Sequence, residues 1–503
     1  MTDTADTAAP RPEARGPRGF ADRRGRDLIA ERRIVARVSE VYERWGFEPL
    51  ETSAFEYADA LGKFLPDADR PNEGVFALQD DDDQWMALRY DLTAPLARFA
   101  AQTWETLPKP FRRYAYGPVW RNEKPGPGRF REFVQCDADT VGSDRPEADA
   151  EIIAMAVEGL TAAGLTEGQA VVRVSNRKLF DGLFEAGGIT DAGQKLTALR
   201  AIDKFDRLGW EGTAALLGEG RLDDSGDYTK GAKLPAAAIA TIEAFLSSVA
   251  TPDLSRAQTL DAVAAAGGLG ATGEAALAEL AAIDAALSAM KVGQDRVRFD
   301  PTIVRGLEYY TGAVFEAELL LDTTDDKGRA VRFGSIGGGG RYDDLVARFT
   351  GERTPATGFS FGVSRLASAL RAAGQAGVEA RGPVVVIVFA QDDMAHYLDA
   401  VAELRNAGIA AELYLGRAGM KAQMKYADRR GSPAAVLLGG DEIAQGRVTI
   451  KDLDAGRALA AGLTDNSAWK AERPGQVTVD RTELVNTLHG IIDEPSIIST
   501  THG

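Results

Sequence analysis

The chain has 503 residues, with 58 Lys and Arg against 75 Asp and Glu and a formal net charge of −17. This length predicts about two to four domains with a sizeable core, whereas the acidic balance argues against a broadly basic nucleic-acid-binding protein. A single cysteine excludes an intrachain disulfide and a Cys-rich zinc site, and three scattered histidines argue against a histidine metal cluster or a Ser-His-Asp triad.

The N-terminal segment 1–18 is rich in Ala, Pro, Thr and Arg and has no apolar core, which predicts a disordered arm rather than a secretory signal. No apolar run approaches the roughly 18 residues that a membrane-spanning helix needs, so we expect a cytoplasmic protein. Two local basic clusters could contact RNA, although most charge runs are only solvated surface. These clusters are Arg23, Arg24 and Arg26, and Lys421, Lys425, Arg429 and Arg430.

The first part of the chain predicts a long amphipathic helix followed by a hairpin. Apolar residues such as Ile34, Val38 and Val41 recur at helical spacing, and Gly46 ends the pattern. Farther on, a Pro- and Gly-rich segment separates two strand-like runs, as in an antiparallel hairpin. The predicted elements are a helix at 24–45, strands at 114–121 and 130–138, and a helix at 145–163.

The middle of the chain changes in composition. Ala, Leu and Gly dominate 179–291 at helical spacing, which predicts a mostly helical insertion. Beyond it, the sequence predicts strands at 297–299 and 313–320, a glycine run at 337–340 and a helix at 364–372. The glycine run lacks the Lys-Ser/Thr of a phosphate-binding loop and any dinucleotide fingerprint, so we interpret it as backbone that passes close to a ligand.

The last part of the chain predicts a separate small domain. A Gly- and Ala-rich linker at 373–383 precedes it. Apolar strands then alternate with helices, which indicates an α/β domain over 384–503. Its predicted elements are strands at 384–389, 410–415 and 434–438, and helices at 394–406, 421–430 and 481–488.

The hairpin carries residue types suited to a nucleotide. Arg121 could pair with a phosphate, Glu123 could accept a hydrogen bond from an adenine amino group, and the Phe133 ring could stack on the base. The alternative is a surface ion pair beside a core phenylalanine.

A second cluster, 358–365, is a glycine-bounded strand that runs into a helix opening near Arg365. Glycine permits close approach of backbone to a ligand, and Arg365 would present a fixed charge to it. An ordinary strand-to-helix turn explains the same pattern.

Together the two clusters resemble motifs 2 and 3 of the class II aminoacyl-tRNA synthetases. The segments 303–312 and 338–343 resemble the two histidine signatures of histidyl-tRNA synthetases, and 88–93 and 135–139 are similar to that family's substrate-binding segments. The resemblance covers roughly 18–460. It includes 420–428 and 451–453, which are similar to the family's anticodon-binding domain.

The resemblance implies an α+β fold: a class II antiparallel sheet flanked by helices, formed by 19–178 and 292–372. The helical insertion would be 179–291, and 384–503 would be the anticodon-binding domain. The family forms symmetric dimers, so a homodimer is expected. The implied activity is ATP-dependent activation of L-histidine to histidyl-adenylate, with release of pyrophosphate, followed by transfer to tRNA(His). Mg²⁺ is expected with ATP.

The resemblance also implies the roles of individual residues. Arg305 and Arg121 would stabilise the charge that develops on the α-phosphate, and Arg365 would hold the γ-phosphate. Asp91, Thr93 and Gln135 would hold the ammonium group, while Asp139 and Tyr310 would face the imidazole; for Tyr309 and Tyr310 the alternative is core packing. The implied histidine-binding residues are Asp91, Leu92, Thr93, Arg121, Gln135, Asp139, Arg305, Tyr309 and Tyr310. The implied ATP-binding residues are Arg121, Glu123, Arg129, Phe133 and Arg365.

The sequence departs from the family pattern at four positions: Ser53, Gly126, Glu308 and Ser364. Gly126 leaves recognition of the tRNA acceptor end open, because relatives often carry a polar side chain there. Two other functions compete with the synthetase: a catalytically silent regulatory subunit of ATP phosphoribosyltransferase, and a non-catalytic RNA-binding scaffold. The regulatory paralogue usually lacks the first histidine signature and the C-terminal domain, and both are present here.

Overall fold

A computed structural model describes residues 12–64, 74–125, 130–222, 226–249, 254–304, 306, 310–321, 323, 333–373, 381–462 and 475–493. The chain divides into two compact units, 1–378 and 379–503. The division falls inside the segment for which the sequence predicts a linker, of which 374–380 lies outside the described residues. So do 1–11 of the predicted N-terminal arm.

The first unit alternates helices and strands. Its first half contains α1 (Gly25–Arg44), β1 (Glu48–Pro49), β2 (Phe55–Tyr57), a 3₁₀ turn (Ala58–Phe64), β3 (Ala77–Gln79), β4 (Trp85–Leu88), α2 (Thr93–Thr103), β5 (Phe111–Trp120), β6 (Glu132–Val141), α3 (Pro146–Ala162) and β7 (Ala170–Asn176). Its second half contains α4 (Lys178–Ala186), α5 (Ala192–Ile202), α6 (Phe205–Leu217), β8 (Gly220–Leu222), β9 (Tyr228–Lys230), α7 (Ala236–Ser248), α8 (Arg256–Ala266), α9 (Gly270–Ala289), β10 (Val297–Phe299), β11 (Ala313–Leu319), β12 (Ser335–Arg341), α10 (Ala347–Thr350), β13 (Ala356–Gly362) and α11 (Val363–Ala372).

An eight-stranded sheet in the order β1-β5-β6-β13-β12-β11-β7-β10 forms the centre of this unit. The six inner strands pair antiparallel, and the two edge strands β1 and β10 pair parallel to their neighbours. This arrangement confirms the predicted antiparallel sheet, and β5 with β6 confirms the predicted hairpin. The glycine run, for which no strand was predicted, lies within the central strand β12.

Helices α1, α3 and α11 cover one face of the sheet. Helix α1 buries Ile34, Val38 and Val41, the residues whose spacing predicts it. Helix α3 begins at Pro146, whose fixed φ suits the first helical position. The buried side chains of these helices pack with Phe361 of β13 in one continuous hydrophobic core.

The predicted insertion is helical from α4 to α9, with one addition: β8 and β9 form a two-stranded pair that the sequence pattern did not reveal. Helices α4 and α9 approach each other closely at Gly182, where a Cβ atom would lie only 1.9 Å from the Leu269 carbonyl oxygen. The rings of Phe180 and Phe245 meet edge to face at 5.4 Å. These insertion side chains share the same hydrophobic core as the sheet.

The second unit contains β14 (Val384–Val386), α12 (Met394–Asn406), β15 (Ala411–Leu413), α13 (Met420–Arg430), β16 (Ala434–Leu437), α14 (Gly440–Gln445), β17 (Arg447–Asp452), α15 (Leu453–Gly462), β18 (Gln476–Asp480) and α16 (Leu484–Asp493). Its sheet has the order β15-β14-β16-β17-β18. The first three strands are parallel, as alternating β and α units require. Strand β17 pairs antiparallel with β16 instead, because the short connection through α14 cannot make the long crossover that parallel pairing needs. Strand β18 pairs antiparallel with β17.

No helix in the described ranges is both long and apolar enough to cross a lipid bilayer.

Candidate active site

A cavity of about 530 Å³ opens on one face of the central sheet. The segment before α2, the β5–β6 hairpin, strands β11 to β13 and the start of α11 all contribute to its wall. The lining residues are Asp91, Thr93, Arg121, Glu123, Phe130, Phe133, Gln135, Asp137, Gly306, Tyr310, Phe315, Glu316, Ser335, Ile336, Gly337, Gly338, Gly339, Ser360, Gly362, Ser364 and Arg365.

One face of strand β6 supplies an acidic row, because alternate residues of a strand point the same way. Phe133, Gln135 and Asp137 line the cavity along this face. Asp139, the next residue of the row, is not part of the lining; it lies buried beside Arg113, 2.8 Å from the guanidinium, and accepts a hydrogen bond from the Tyr342 hydroxyl. Burial raises the pKa of Asp139, while Arg113 and the Tyr342 hydrogen bond oppose that rise.

Asp137 is the acidic residue of β6 that reaches the cavity. Burial raises its pKa to about 8, although Arg113 and a hydrogen bond from Ser360 act in the opposite direction. Ser360 also accepts a hydrogen bond of 2.8 Å from the Gln135 amide nitrogen. The remaining acceptors, Oδ1 of Asp137 and Oε1 of Gln135, are buried and have no hydrogen-bond partner among the described residues.

The segment before α2 adds a third carboxylate. Oδ1 of Asp91 accepts hydrogen bonds from the backbone nitrogens of Thr93 and Ala94, at 3.2 and 2.9 Å, and so caps the start of the helix. Burial raises the pKa of Asp91, and these hydrogen bonds and Arg121 oppose the rise. Leu92 is buried, and its carbonyl accepts a 3.0 Å hydrogen bond from Arg113.

Two arginines give the cavity its positive charge. Arg121 lies with its guanidinium 5.1 Å from the centroid of the Phe133 ring and donates through Nε to the Tyr90 carbonyl at 3.1 Å. Arg365, near the start of α11, donates to the Phe333 carbonyl. The exposed Glu123 also lines the cavity. Arg129, predicted to bind ATP, lies outside the described residues, as does Gly126 at the hairpin tip.

Glycines make room for the Tyr310 ring. A Cβ atom at Gly306 would lie 2.2 Å from the ring, and one at Gly340 would lie 2.9 Å from it. Gly337, Gly338 and Gly339 line the cavity itself, as expected of backbone that passes close to a ligand. Burial and the nearby aspartates raise the pKa of the Tyr310 hydroxyl. Arg305, Tyr309 and Glu308 lie outside the described residues.

The wall of the cavity therefore combines carboxylates and a phenol with arginines beside an aromatic ring. The sequence model of a protein family described as histidyl-tRNA synthetase matches residues 19–366 of this chain. The chain belongs to the histidyl-tRNA synthetase family. A second model, described as an anticodon binding domain, matches residues 383–489.

Two curated relatives of this synthetase are named histidine–tRNA ligase. That of Caulobacter vibrioides is 70% identical over 97% of this chain and 99% of its own length. That of Brucella ovis is 53% identical over 98% of each chain. These full-length relatives support the synthetase rather than the regulatory alternative.

Solved structures show the same fold. A crystal structure of histidyl-tRNA synthetase from Nostoc sp. PCC 7120 covers 95% of this chain and 100% of its own, with a TM-score of 0.71 and 26% identity. A structure described as an ATP phosphoribosyltransferase regulatory subunit/histidyl-tRNA synthetase from Bacillus halodurans covers 83% of this chain, with a TM-score of 0.63 and 23% identity. The latter likeness extends to the fold alone.

Three residues in or beside the cavity have no role that follows from the sequence pattern. Asp137 lies in a quoted segment, and strand alternation with Gln135 was the signal that could have placed it on the cavity face. Tyr342 lies in the second histidine signature, but its bond to Asp139 joins strands that are distant in sequence. Arg113 is fully buried in β5, one residue before the strand predicted at 114–121, and nothing in the sequence pattern marked it.

Replacing Gly340 with alanine is expected to raise the KM for histidine about fivefold to a hundredfold, the equivalent of the about 1–3 kcal/mol that overpacking costs. The new methyl group would lie 2.9 Å from the Tyr310 ring and 2.6 Å from the Ala313 carbonyl oxygen, so the ring has to shift. Histidine-dependent ATP–pyrophosphate exchange measures the effect. The Gly193→Ala variant is the control, because this exposed glycine of α5 is not part of the cavity lining and its methyl group meets only one atom, at 3.4 Å; an unchanged KM in Gly340→Ala would contradict the expected packing.

Proposed function

We infer that this chain is a histidine–tRNA ligase. It activates L-histidine with ATP to form histidyl-adenylate and pyrophosphate, and then transfers the histidyl group to tRNA(His). The observation that carries this conclusion is the match over almost the whole chain to named histidine–tRNA ligases. The cavity agrees with it, because a cationic substrate and a phosphate anion would each meet side chains of opposite charge there.

We propose that the acidic part of the cavity binds histidine. Asp91 supplies the charge opposite to the ammonium group, and Thr93 and Gln135 supply hydrogen bonds. Tyr310 meets the imidazole. Leu92 contributes through its carbonyl, which holds Arg113. The direct role of Asp139 at the imidazole stays a prediction from the resemblance, since Arg113 and Tyr342 occupy this carboxylate.

The arginine-bearing part of the cavity is proposed to bind ATP. A histidine carboxylate oxygen attacks the α-phosphorus, the bond to the β-phosphate oxygen breaks, and pyrophosphate leaves. Arg121 and Arg305 stabilise the negative charge that develops on the α-phosphate, without reorganising at the moment of reaction. Phe133 stacks on the adenine. Glu123 accepts from the adenine amino group, Arg129 adds a further contact, and Arg365 holds the γ-phosphate.

Members of this family use ATP, typically together with Mg²⁺. Within the part of the chain that the structure describes, no group of three His, Cys, Asp or Glu side chains could hold a metal ion. Magnesium is commonly bound through substrate phosphates with one or two carboxylates. We therefore propose that Mg²⁺ is held chiefly by the ATP phosphates, where it neutralises their charge.

The second unit is proposed to bind the anticodon of tRNA(His). Lys421 and Lys425 are exposed on helix α13, where they can contact phosphates. Arg430 pairs instead with Glu412 at 2.9 Å, and Arg23 near α1 contacts Glu31. Those two members of the basic clusters are thus partly neutralised. A homodimer and a cytoplasmic location are further proposals, by analogy with the family.

ATP–pyrophosphate exchange, run with each of the twenty amino acids, tests the activity. Exchange that depends on histidine alone, together with charging of tRNA(His), is the expected result. Binding of tRNA without any exchange would favour the RNA-binding scaffold, and neither activity would favour the regulatory subunit.

The Arg305→Ala variant is predicted to fold normally and to lower the rate of adenylate formation by about a hundredfold or more, because a preorganised donor to the α-phosphate is lost. Exchange kinetics measure this rate, and circular dichroism checks the fold. Near-normal activation by the variant would refute the role given to Arg305.

A further inference from the structure

Arg177 lies where strand β7 ends and the insertion begins, and its contacts lead towards the cavity. It directly precedes α4, and the last paired residues of the neighbouring strands are Asn176 of β7 and Ala313 of β11. Beyond that pair, the Arg177 backbone nitrogen donates to the Gly312 carbonyl at 3.0 Å. The half-buried guanidinium donates through Nη1 to the Tyr310 carbonyl at 3.2 Å. Arg177 thus contacts a residue of the cavity wall without being part of the lining itself.

The residue after Tyr310 is held from the side of β12. The Thr311 backbone nitrogen donates to the Arg341 carbonyl at 2.8 Å, and the Thr311 hydroxyl accepts from the Asp343 backbone nitrogen at 3.1 Å. The Tyr310 carbonyl is held instead from the side of β7, by the charged side chain of Arg177. A substitution of Arg177 therefore removes one support of this segment and leaves the contacts to β12 in place.

The Tyr310 ring lies so close to neighbouring backbone that it has little freedom of its own. A Cβ atom at Gly306 would lie 2.2 Å from the ring, and one at Gly340 would lie 2.9 Å from it. A shift of the Tyr310 backbone is therefore carried to the phenol. A misplacement of about 1 Å at a binding group can cost about a hundredfold in activity, so the support of this backbone matters for the substrate.

The packing of the insertion fixes the position of Arg177. The fully buried Asn176 donates to the Glu279 carboxylate of α9 at 2.7 Å, and the Lys178 ammonium pairs with the same carboxylate at 2.5 Å. Both chain neighbours of Arg177 are thus tied to α9, and α4 approaches α9 closely at Gly182. The guanidinium is consequently presented from a rigid element, and a hydrogen bond from a charged donor is stronger than one between neutral groups.

We propose that Arg177 is a positioning residue for histidine recognition: it holds the Tyr310 backbone so that the phenol meets the imidazole. The first residue of the insertion thereby becomes part of the support of the amino-acid site. This inference rests on the proposed function, since it presumes that Tyr310 faces the imidazole. Arg177 acts on the substrate only through Tyr310, so its loss weakens histidine binding equally in the ground state and the transition state.

The Arg177→Met variant tests this role. Its KM for histidine in ATP–pyrophosphate exchange is expected to rise about tenfold, which corresponds to the loss of a hydrogen bond from a charged group. The rate at saturating histidine and the KM for ATP should stay within about threefold of the parent, because uniform binding of one substrate is lost. An unchanged KM for histidine would overturn the proposal.

The Arg177→Lys variant provides the same test with a smaller change, should Arg177→Met fail to fold. Lysine keeps the charge and can donate to the Tyr310 carbonyl, but it lacks the planar fork of arginine. We expect a rise of about threefold in the KM for histidine. A KM equal to that of the parent, or one above that of a folded Arg177→Met, would contradict the role of the guanidinium.

The matched control is Arg296→Met. Arg296 is also half-buried in the first unit, donates to the Val157 carbonyl at 3.3 Å and to the Thr161 hydroxyl at 2.8 Å, and does not line the cavity. Thermal unfolding should show a comparable loss of stability in both methionine variants, whereas Arg296→Met should keep the KM for histidine within about twofold. An equal rise of KM in the control would indicate a general loosening of the fold and would overturn the proposal.

A double-mutant cycle with Tyr310→Phe shows whether Arg177 acts through the phenol. Tyr310→Phe alone should raise the KM for histidine, and the double variant should stay within about threefold of it, because no phenol is left to position. Effects that multiply in the double variant, or an unchanged KM in Tyr310→Phe, would overturn the proposal. Independent effects in a protein with normal histidine-dependent exchange would reject this inference alone, whereas no exchange in the unaltered protein would reject the proposed function.

Discussion

Replacing Arg121 with alanine is expected to lower the maximal rate of histidine-dependent ATP–pyrophosphate exchange by about a hundredfold or more. The guanidinium lines the cavity, is held over the Phe133 ring at 5.1 Å, and is anchored to the Tyr90 carbonyl at 3.1 Å. A donor fixed in this way is in place before charge develops on the α-phosphate, so its loss affects the transition state more than the binding of ATP. Steady-state exchange kinetics at saturating ATP and histidine measure the effect.

The control for Arg121 is Arg131→Ala in the same hairpin. Arg131 is not part of the cavity lining, and its Nε donates to the Glu123 carbonyl at 3.0 Å. This variant should keep the exchange rate within about threefold of the parent, because no contact to a reacting group is lost. Equal losses of rate in both variants would indicate a disturbed hairpin and would contradict a direct role for Arg121.

The Arg113→Met variant is expected to lose about 3–5 kcal/mol of unfolding free energy, the usual cost of leaving one member of a buried ion pair behind. Arg113 is fully buried, lies 2.8 Å from the Asp139 carboxylate and donates to the Leu92 carbonyl at 3.0 Å. Methionine fills much of the volume of the arginine side chain, but it carries no charge to balance the Asp139 carboxylate. Urea denaturation at several pH values measures the loss, through the unfolding transition of the first unit.

The pH dependence of that loss has a definite sign. Burial already raises the pKa of Asp139 above its ordinary value of 3.8, and Arg113 restrains the rise. Without Arg113 the folded-state pKa rises further, so stability is lost as pH rises above about 4, the unfolded value. The deficit of Arg113→Met should therefore be smaller at pH 5 than at pH 8. The Arg113→Met/Asp139→Asn double variant should recover part of it, and a double variant as unstable as the single one would argue against an unpaired charge as the cause.

Most of the fold could be predicted because its strongest signals are local. Helix α1 follows directly from the spacing of Ile34, Val38 and Val41, and the pattern over 394–406 gives the bounds of α12. Strand β12 could not be predicted, because glycine has a low intrinsic strand propensity and Gly337–Gly340 are strand residues only through pairing on both sides. The β8–β9 pair and the antiparallel end of the second sheet likewise depend on contacts between segments rather than on pattern.

The candidate site could be predicted only as far as short motifs reach. Arg121, Phe133 and Gln135 of the hairpin line one cavity together with Tyr310, which is far from them in sequence. The contacts of Asp139 could not be foreseen, because they depend on Arg113 and Tyr342, which approach from other parts of the chain. The roles of Arg305, Tyr309 and Arg129 stay predictions, since these residues lie outside the described ranges.

The insertion and the sheet share one hydrophobic core, and this limits how the enzyme can change during evolution. Helices α4 and α9 touch backbone to backbone at Gly182, and their apolar side chains belong to the same hydrophobic core as the strands that carry the cavity. A segment anchored in this way cannot simply be removed, because its loss would expose apolar side chains of the remaining unit to water. Shortening or exchange by recombination should therefore be tolerated at exposed residues such as Gly226 and Asp227, just before β9, rather than at the ends of the insertion.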